Sequence, residues 1–273
     1  MANAEACVRA FLVRTYHETG GKPLHALDHM DDGTPIELTI TINPTDGSAH
    51  VDFTGTGEEG YHSFNAPQAI ARSATLYVLR CLINQEIPLN EGCLRPLDFT
   101  IPKGTLLNPS PEAAVCAGNP ITSQRVTDVL IKAFEACAAS QGDCNVFSLG
   151  IDGDFDPDGN AIPDSGFGFG ETICGGSGAG PGWNGTSGVH IHMTNTRITD
   201  PEMLEKRYPV LLREFSIQEG SGGRGKWNGG NGIRRVYEFG REVRASIVSE
   251  RRVTRPYGMK GGQPGRSGVN YGV

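Results

Sequence analysis

The residues best suited to chemistry lie in one stretch, Gly188-Val189-His190-Ile191-His192-Met193-Thr194-Asn195-Thr196-Arg197. In an extended segment alternate side chains share a face, so His190 and His192 project together, as candidates for proton transfer or as ligands of a metal. An extended row of two imidazoles, the Asn195 amide and the Arg197 guanidinium suits an anionic, amide-containing ligand. The His-x-His spacing names no third ligand, so the identity of any metal is unknown and a structural, hydrogen-bonding role stays open.

Upstream, Gly175-Gly176-Ser177-Gly178-Ala179-Gly180 carries few Cβ atoms. The N–H groups of Gly176 and Gly178 can therefore approach the oxyanion of a tetrahedral intermediate; a purely structural turn is the alternative. Thr122-Ser123-Gln124-Arg125 stands where a helix is predicted to begin. Free amides, the positive dipole end and the Gln124 and Arg125 side chains would converge there on a carboxylate or phosphate. An ordinary cap with a surface arginine is the competing reading. Arg251, Arg252 and Arg255 are expected to be solvated or paired with Glu250. The acidic run from Asp152 to Asp158 lacks the glycine and glutamate positions of an EF-hand and reads as a solvated loop. No G-x-x-x-x-G-K-[ST] loop or post-strand G-x-G-x-x-G fingerprint is present, so the sequence shows no ATP-binding motif.

These candidates need elements to hold them. Apolar residues Cys7, Val8, Phe11, Leu12 and Tyr16 predict a helix over 4–19, and Ile36 to Ile42 with Ala49 to Phe53 predicts a β-hairpin turning at Asp46-Gly47. Asn65 is placed to cap a second helix running towards Leu82, and a short strand is expected around Leu97 to Ile101. The spacing of Val126, Val129, Leu130, Ala133, Phe134 and Cys137 predicts the firmest helix of the chain. Residues 151–188 read as loops with one short strand. Thr199-Asp200-Pro201-Glu202 reads as a capping box with Thr199 as the cap, opening a helix that stops near Tyr208 before Pro209. Strand character follows at 210–217, 232–239 and 243–248. Strands and helices that do not alternate regularly indicate an α+β fold in a single domain over 1–273.

A chain of 273 residues buries roughly 75% of its unfolded surface and needs no disulfides. A net charge of −7 argues against nucleic acid as a partner. No apolar run is long enough to cross a bilayer, and the N-terminus lacks a signal-peptide core. The 7 cysteines form no C-x-x-C pair and are expected to be mostly buried free thiols of a reducing cytosol, Cys174 being the one to test as a nucleophile.

Asp28-His29-Met30-Asp31-Asp32-Gly33, Asp52 to Thr56, Asn65-Ala66-Pro67, Ile87 to Pro96, Thr122 to Arg125, Gly175 to Pro181 and Gly188 to Glu202 occur here in one order. With Gly220 to Gly225 and Arg255 to Gly258, they make the chain resemble the hydantoinase B/oxoprolinase family, most of all the C-terminal part of its eukaryotic, ATP-hydrolysing 5-oxoprolinase members. The resemblance implies ring opening of 5-oxo-L-proline to L-glutamate, a step of glutathione turnover. It implies ATP and magnesium for the full enzyme, a hydantoinase A-like ATP-binding region in cis or trans, and a homo-oligomer. It also implies an incomplete domain, whose first part and glycine-rich closure lie outside the chain. Within the same resemblance, a hydantoinase or carboxylase subunit is an alternative, and a non-catalytic scaffold or dimerisation fragment is another.

Overall fold

The computed structural model describes residues 1–160, 162 and 165–272. Two helices pack on a four-stranded sheet, and a third packs against one of them. The sheet contains β1 (Leu24–His29), β2 (Pro35–Asn43), β3 (Ser48–Asp52) and β4 (Leu97–Thr100), in that order. The first three strands are antiparallel, and β3 pairs with β4 in parallel. Alternation places Ile36, Leu38, Ile40 and Ile42 of β2 inward, beside Ala49 and Val51 of β3. Helix α1 (Ala2–Glu18) lays Ala4, Val8, Phe11, Leu12 and Thr15 on this surface. The chain passes from β3 to β4 through α2 (Gln68–Leu82), which packs on α3 (Ser123–Ala133).

The second part of the molecule holds two smaller sheets. In one, β5 (Val146–Ile151) lies between β6 (Phe167–Thr172) and β9 (Arg244–Val248), all antiparallel. The other pairs β7 (Val210–Ile217) with β8 (Ile233–Phe239), with a bulge between Leu212 and Glu214. Leu149, Leu204 and Val210 form a small core with Phe147, Phe167, Phe169, Tyr208 and Tyr237 around it. The α+β class read from the sequence is the one observed. The acidic loop after β5 is exposed, and Asp156 turns it by accepting from the Asp158 and Asn160 amides. Ala161, Pro163 and Asp164 of the 151–188 stretch lie outside the described residues.

Two caps differ from expectation. Pro67, not Asn65, precedes α2, and the Asn65 amide instead ties Gly60, His62 and Ala114 together. Helix α4 (Pro201–Arg207) is capped by Asp200, whose carboxylate accepts from the Glu202 and Met203 amides. Thr199 lies one residue before the cap, and its amide donates to Glu171, so Glu202 does not close the expected box. The helix does stop at Arg207, before Pro209.

Candidate functional site

Helix α3 organises the site. Its apolar residues follow the helical period, yet its polar face is buried as well: Gln124, Arg125 and Asp128 are all 0% exposed. A helix of this pattern ordinarily turns its polar residues to water. Here the segment after β9, the loop around Asp143 and the His190–Arg197 segment cover them.

Arg125 is therefore neither a surface arginine nor a group open to a ligand. Its Nη2 donates to Glu250 Oε2 at 2.7 Å, while Asp28 and Asp31 stand 3.6 and 3.9 Å from the guanidinium. A π-turn over Gly118–Thr122 runs directly into α3, so the helix does not present the free N-terminus expected from the sequence. Gln124 is equally committed. Its amide nitrogen donates to Thr194 Oγ1 at 2.8 Å and to the Ile191 carbonyl at 3.3 Å, and its oxygen accepts from the Met193 amide. Gln124 thus pins the histidine segment to the core.

Arg251 is the clearest departure in the late arginine cluster. It is 2% exposed, with Nη2 2.8 Å from Asp28 Oδ2 and 3.2 Å from Asp128 Oδ2. Glu250 is buried but pairs with Arg125, and Arg252 donates to Asn145. Asp31 accepts from the amides of Arg252, Val253 and Thr254, and its own amide donates to Glu250. The cluster joins the strand β1 end, α3 and the segment after β9 through charge-assisted bonds.

Carboxyl groups outnumber guanidinium groups in this cluster, and the pKa shifts follow. Burial raises Asp143 to about 7, although the Glu250 amide, Arg252 and the Asn145 amide oppose it. Burial likewise raises Glu250, against the charge of Arg125. Burial would raise Asp128 too, but hydrogen bonding to His192 and the charge of Arg251 hold it at about 2. Since Asp143 is protonated in the folded chain up to about pH 7 and ionises near 3.8 when unfolded, the folded state binds the extra proton between these values. Its contribution to stability is then lost as pH rises through this window, with a slope of at most about 1.4 kcal/mol per pH unit. Asp143→Asn is expected to flatten that slope in chemical denaturation series run from pH 4.5 to 7.5. An unchanged slope would assign it to other groups.

The histidine segment is not an extended row. His192 adopts φ 43° in a turn closed by the Thr194 amide on the Ile191 carbonyl, which breaks the alternation. Strict alternation would in any case set Asn195 and Arg197 on the face opposite His190 and His192, because their parity differs. Asn195 and Arg197 are exposed. His192 Nε2 faces Asp128 Oδ1 at 3.4 Å, and its Nδ1 lies 3.2 Å from the Tyr77 hydroxyl. His190 is half-buried, neither ring nitrogen has a hydrogen-bond partner, and burial pushes its pKa down against the charge of Glu171. Glu171 is itself buried, held by Arg235, Tyr237 and the Thr199 amide.

An antiparallel bridge between Gly175 and Val189 lays the glycine-rich segment beside the histidines. A Cβ on Gly176 would meet the Gly230 carbonyl oxygen at 2.1 Å, and one on Gly178 the Ala138 oxygen at 1.8 Å. Glycine is required there by close main-chain packing. Cys174 is buried, which raises its thiol pKa and disfavours the thiolate a nucleophile needs. Of the seven cysteines only Cys93, Cys144 and Cys174 are buried, fewer than expected, and all are free.

Among the described residues no group of three or more His, Cys, Asp or Glu side chains is arranged to hold a metal ion. The clustered carboxylates are already engaged by arginines and main-chain amides, and the glycine-rich segment opens no helix. These residues do not fit magnesium or the phosphates of ATP. A surface cavity of about 400 Å³ lies between β2, β3 and the start of β4, and no candidate residue lines it. No helix is long and apolar enough to cross a membrane, among the described residues.

What could have disclosed Asp28, Asp128, Glu250 and Arg251 is the density of opposite charge on segments otherwise rich in core residues. Tyr77 carried no such signal, since an aromatic on an amphipathic helix reads as core.

Comparison with known proteins agrees with this architecture. The chain is 54% identical over 244 residues to 5-oxoprolinase 1 of Arabidopsis thaliana, covering 89% of the chain and 18% of the relative. It is 50% identical over 279 residues to 5-oxoprolinase of Saccharomyces cerevisiae, covering 99% of the chain and 22% of the relative. The chain therefore spans about one fifth of the length of these relatives. The crystal structure of an ATP-dependent caprolactamase from Pseudomonas jessenii superposes with a TM-score of 0.69 at 21% identity, over 87% of the chain and 42% of that protein, which shows a shared fold. A family model described as hydantoinase B/oxoprolinase matches residues 1–272. The chain belongs to the hydantoinase B/oxoprolinase family.

Proposed function

We propose that this chain is the part of an ATP-dependent 5-oxoprolinase that completes hydrolysis of the lactam of 5-oxo-L-proline to L-glutamate, in the cytosol and in glutathione turnover. The observation that carries the reading is the pinned His190–Arg197 segment beside the glycine-rich loop, in a chain about half identical to 5-oxoprolinases. Lactams resist water because resonance makes their carbonyl a poor electrophile. Activation by ATP and magnesium belongs, on this reading, to a hydantoinase A-like region in cis or trans.

The roles divide as follows. Exposed Asn195 and Arg197 receive the substrate carboxylate and amide. His190 or His192 transfers the proton that ring opening requires. The amides of Gly176 and Gly178, which donate to no protein acceptor among the described residues, face developing negative charge. Gln124 and Arg125 act at one remove, by fixing the segment and the layers around it.

The test is a full-length enzyme in which this chain is joined to the rest of a hydantoinase B-like region and to a hydantoinase A-like region. It is supplied with ATP and magnesium and assayed with 5-oxoproline, hydantoins and carbonyl acceptors in parallel. Glutamate formation with ATP hydrolysis is expected for 5-oxoproline alone, and none from the isolated chain. Arg197→Ala is expected to raise KM about tenfold, a loss of about 1.4 kcal/mol of binding. Stimulation of ATP hydrolysis only by a hydantoin or a carbonyl acceptor would instead identify a hydantoinase or carboxylase subunit. Self-association without turnover of any compound would identify a scaffold.

A further inference from the structure

Ring opening moves one proton, and the segment offers two histidines for it, His190 and His192. The geometry distinguishes them. His190 has no partner for either nitrogen. His192 sits between two partners drawn from distant parts of the chain, Asp128 at 3.4 Å from Nε2 and the Tyr77 hydroxyl at 3.2 Å from Nδ1.

We propose that Tyr77, His192 and Asp128 form the proton relay of ring opening, with Tyr77 as the catalytic residue at its outer end and Asp128 as its positioning residue. The proposal rests on the lactam-hydrolase reading. Its components are built in from every side. Asp128 is completely buried, takes the Ser140 amide and hydroxyl on Oδ1, and has Arg251 on Oδ2. An ionised carboxylate so fixed beside Nε2 selects the tautomer with the proton on that nitrogen and turns the Nδ1 lone pair to the phenol. His192 itself is held by the turn at φ 43°, with its neighbours bonded to Gln124. The Tyr77 ring stands edge-on to the imidazole at 5.7 Å between centroids, half-buried on α2 and one turn before exposed Cys81. Burial raises the pKa of Tyr77, so the phenol keeps its proton at rest.

The proton path balances. As the oxygen of water bonds to the lactam carbon, the carbonyl π pair moves onto the carbonyl oxygen, one water proton passes to Tyr77 Oη and the phenolic proton passes to His192 Nδ1. This leaves an imidazolium beside the Asp128 carboxylate. When that oxygen's pair re-forms the carbonyl, the carbon–nitrogen bond breaks with its electron pair on nitrogen, Tyr77 gives a proton to that nitrogen, and His192 returns one to Tyr77. Tyr77 and His192 end as they began. The arrangement has the logic of a nucleophile–His–Asp triad in which the outer hydroxyl conducts a proton instead of attacking carbon.

Tyr77→Phe keeps the ring packing and removes only the hydroxyl. In the full-length enzyme it is expected to lower kcat about 100-fold with KM within about twofold, the scale of one acid–base group. The thermal midpoint is expected to stay unchanged. Nitrogen-15 NMR of the chain should show His192 protonated on Nε2 and not on Nδ1. Turnover by Tyr77→Phe within about threefold of the parent overturns the relay and leaves the lactam-hydrolase reading standing, as does a His192 protonated on Nδ1. A parent protein that forms no glutamate overturns both.

Discussion

Arg125→Met is expected to destabilise the chain by about 3–5 kcal/mol, measured by urea denaturation at neutral pH. Methionine fills most of the space, so the loss is electrostatic. Glu250 Oε2 loses a donor at 2.7 Å, and the Asp28 and Asp31 carboxylates lose the cation beside them, all in surroundings nearly closed to water. Removing one member of a buried ion pair leaves its partner uncompensated, which costs more than the pair contributes. Glu250→Gln in the Arg125→Met background is accordingly expected to restore part of the loss. A double-mutant cycle gives the coupling directly. A cost below about 1 kcal/mol for Arg125→Met would show that water reaches the cluster and that Arg125 is not its keystone.

Gly178→Ala is the second large effect, about 3 kcal/mol on the scale of overpacked cores. The new methyl group would stand 1.8 Å from the Ala138 carbonyl oxygen, a main-chain atom that cannot rotate away. The adjoining hydrogen bond from the Ala138 amide to the Ala179 carbonyl ties the same two segments at 2.9 Å, so relief requires parting them. Gly168→Ala is the control. Nothing lies within 4 Å of its added Cβ, and its effect is expected to stay within about 1 kcal/mol by thermal denaturation. Alanine preserves the Gly178 amide, so intact stability with intact activity would remove close packing as the reason for glycine here.

Much of the fold was legible because local periodicity records it. Ile36 to Ile42 alternate because one side of β2 meets α1 and α3, and Val126, Val129 and Leu130 recur because one side of α3 meets the sheet. Strand β1 escaped because its burial alternates but its chemistry does not: apolar Leu27 stands on the outward face and charged Asp28 on the inward one, after Leu24 and Ala26. The site was harder to read. The sequence placed His190, His192, Gln124 and Arg125 among the important residues, but not their relation to one another. Exposure of Arg125 and Arg251 was misjudged for one reason: their partners are far away in the chain, with Arg251 meeting Asp28 across 223 positions. A local window sees two arginines in polar surroundings and infers water. The turn at His192 was hidden as well, because positive φ at a histidine depends on the Gln124 clamp more than on the residue itself.

The Asp31 to Thr254 contact bears on how the molecule comes into being. Asp31 is made early, and the amides and hydroxyl that satisfy it arrive with residues 252–254. Until then the growing polypeptide holds Asp28 and Asp31 at the end of a finished β1–β2 pair and Arg125 on a finished helix, without Glu250 or Arg251 to complete the set. Contacts of such long sequence separation are slow to close. The layer built from residues 1–133 is thus a hydrophobic sheet carrying an open charged seam, which closes only once β9 and the residues that follow it have been made.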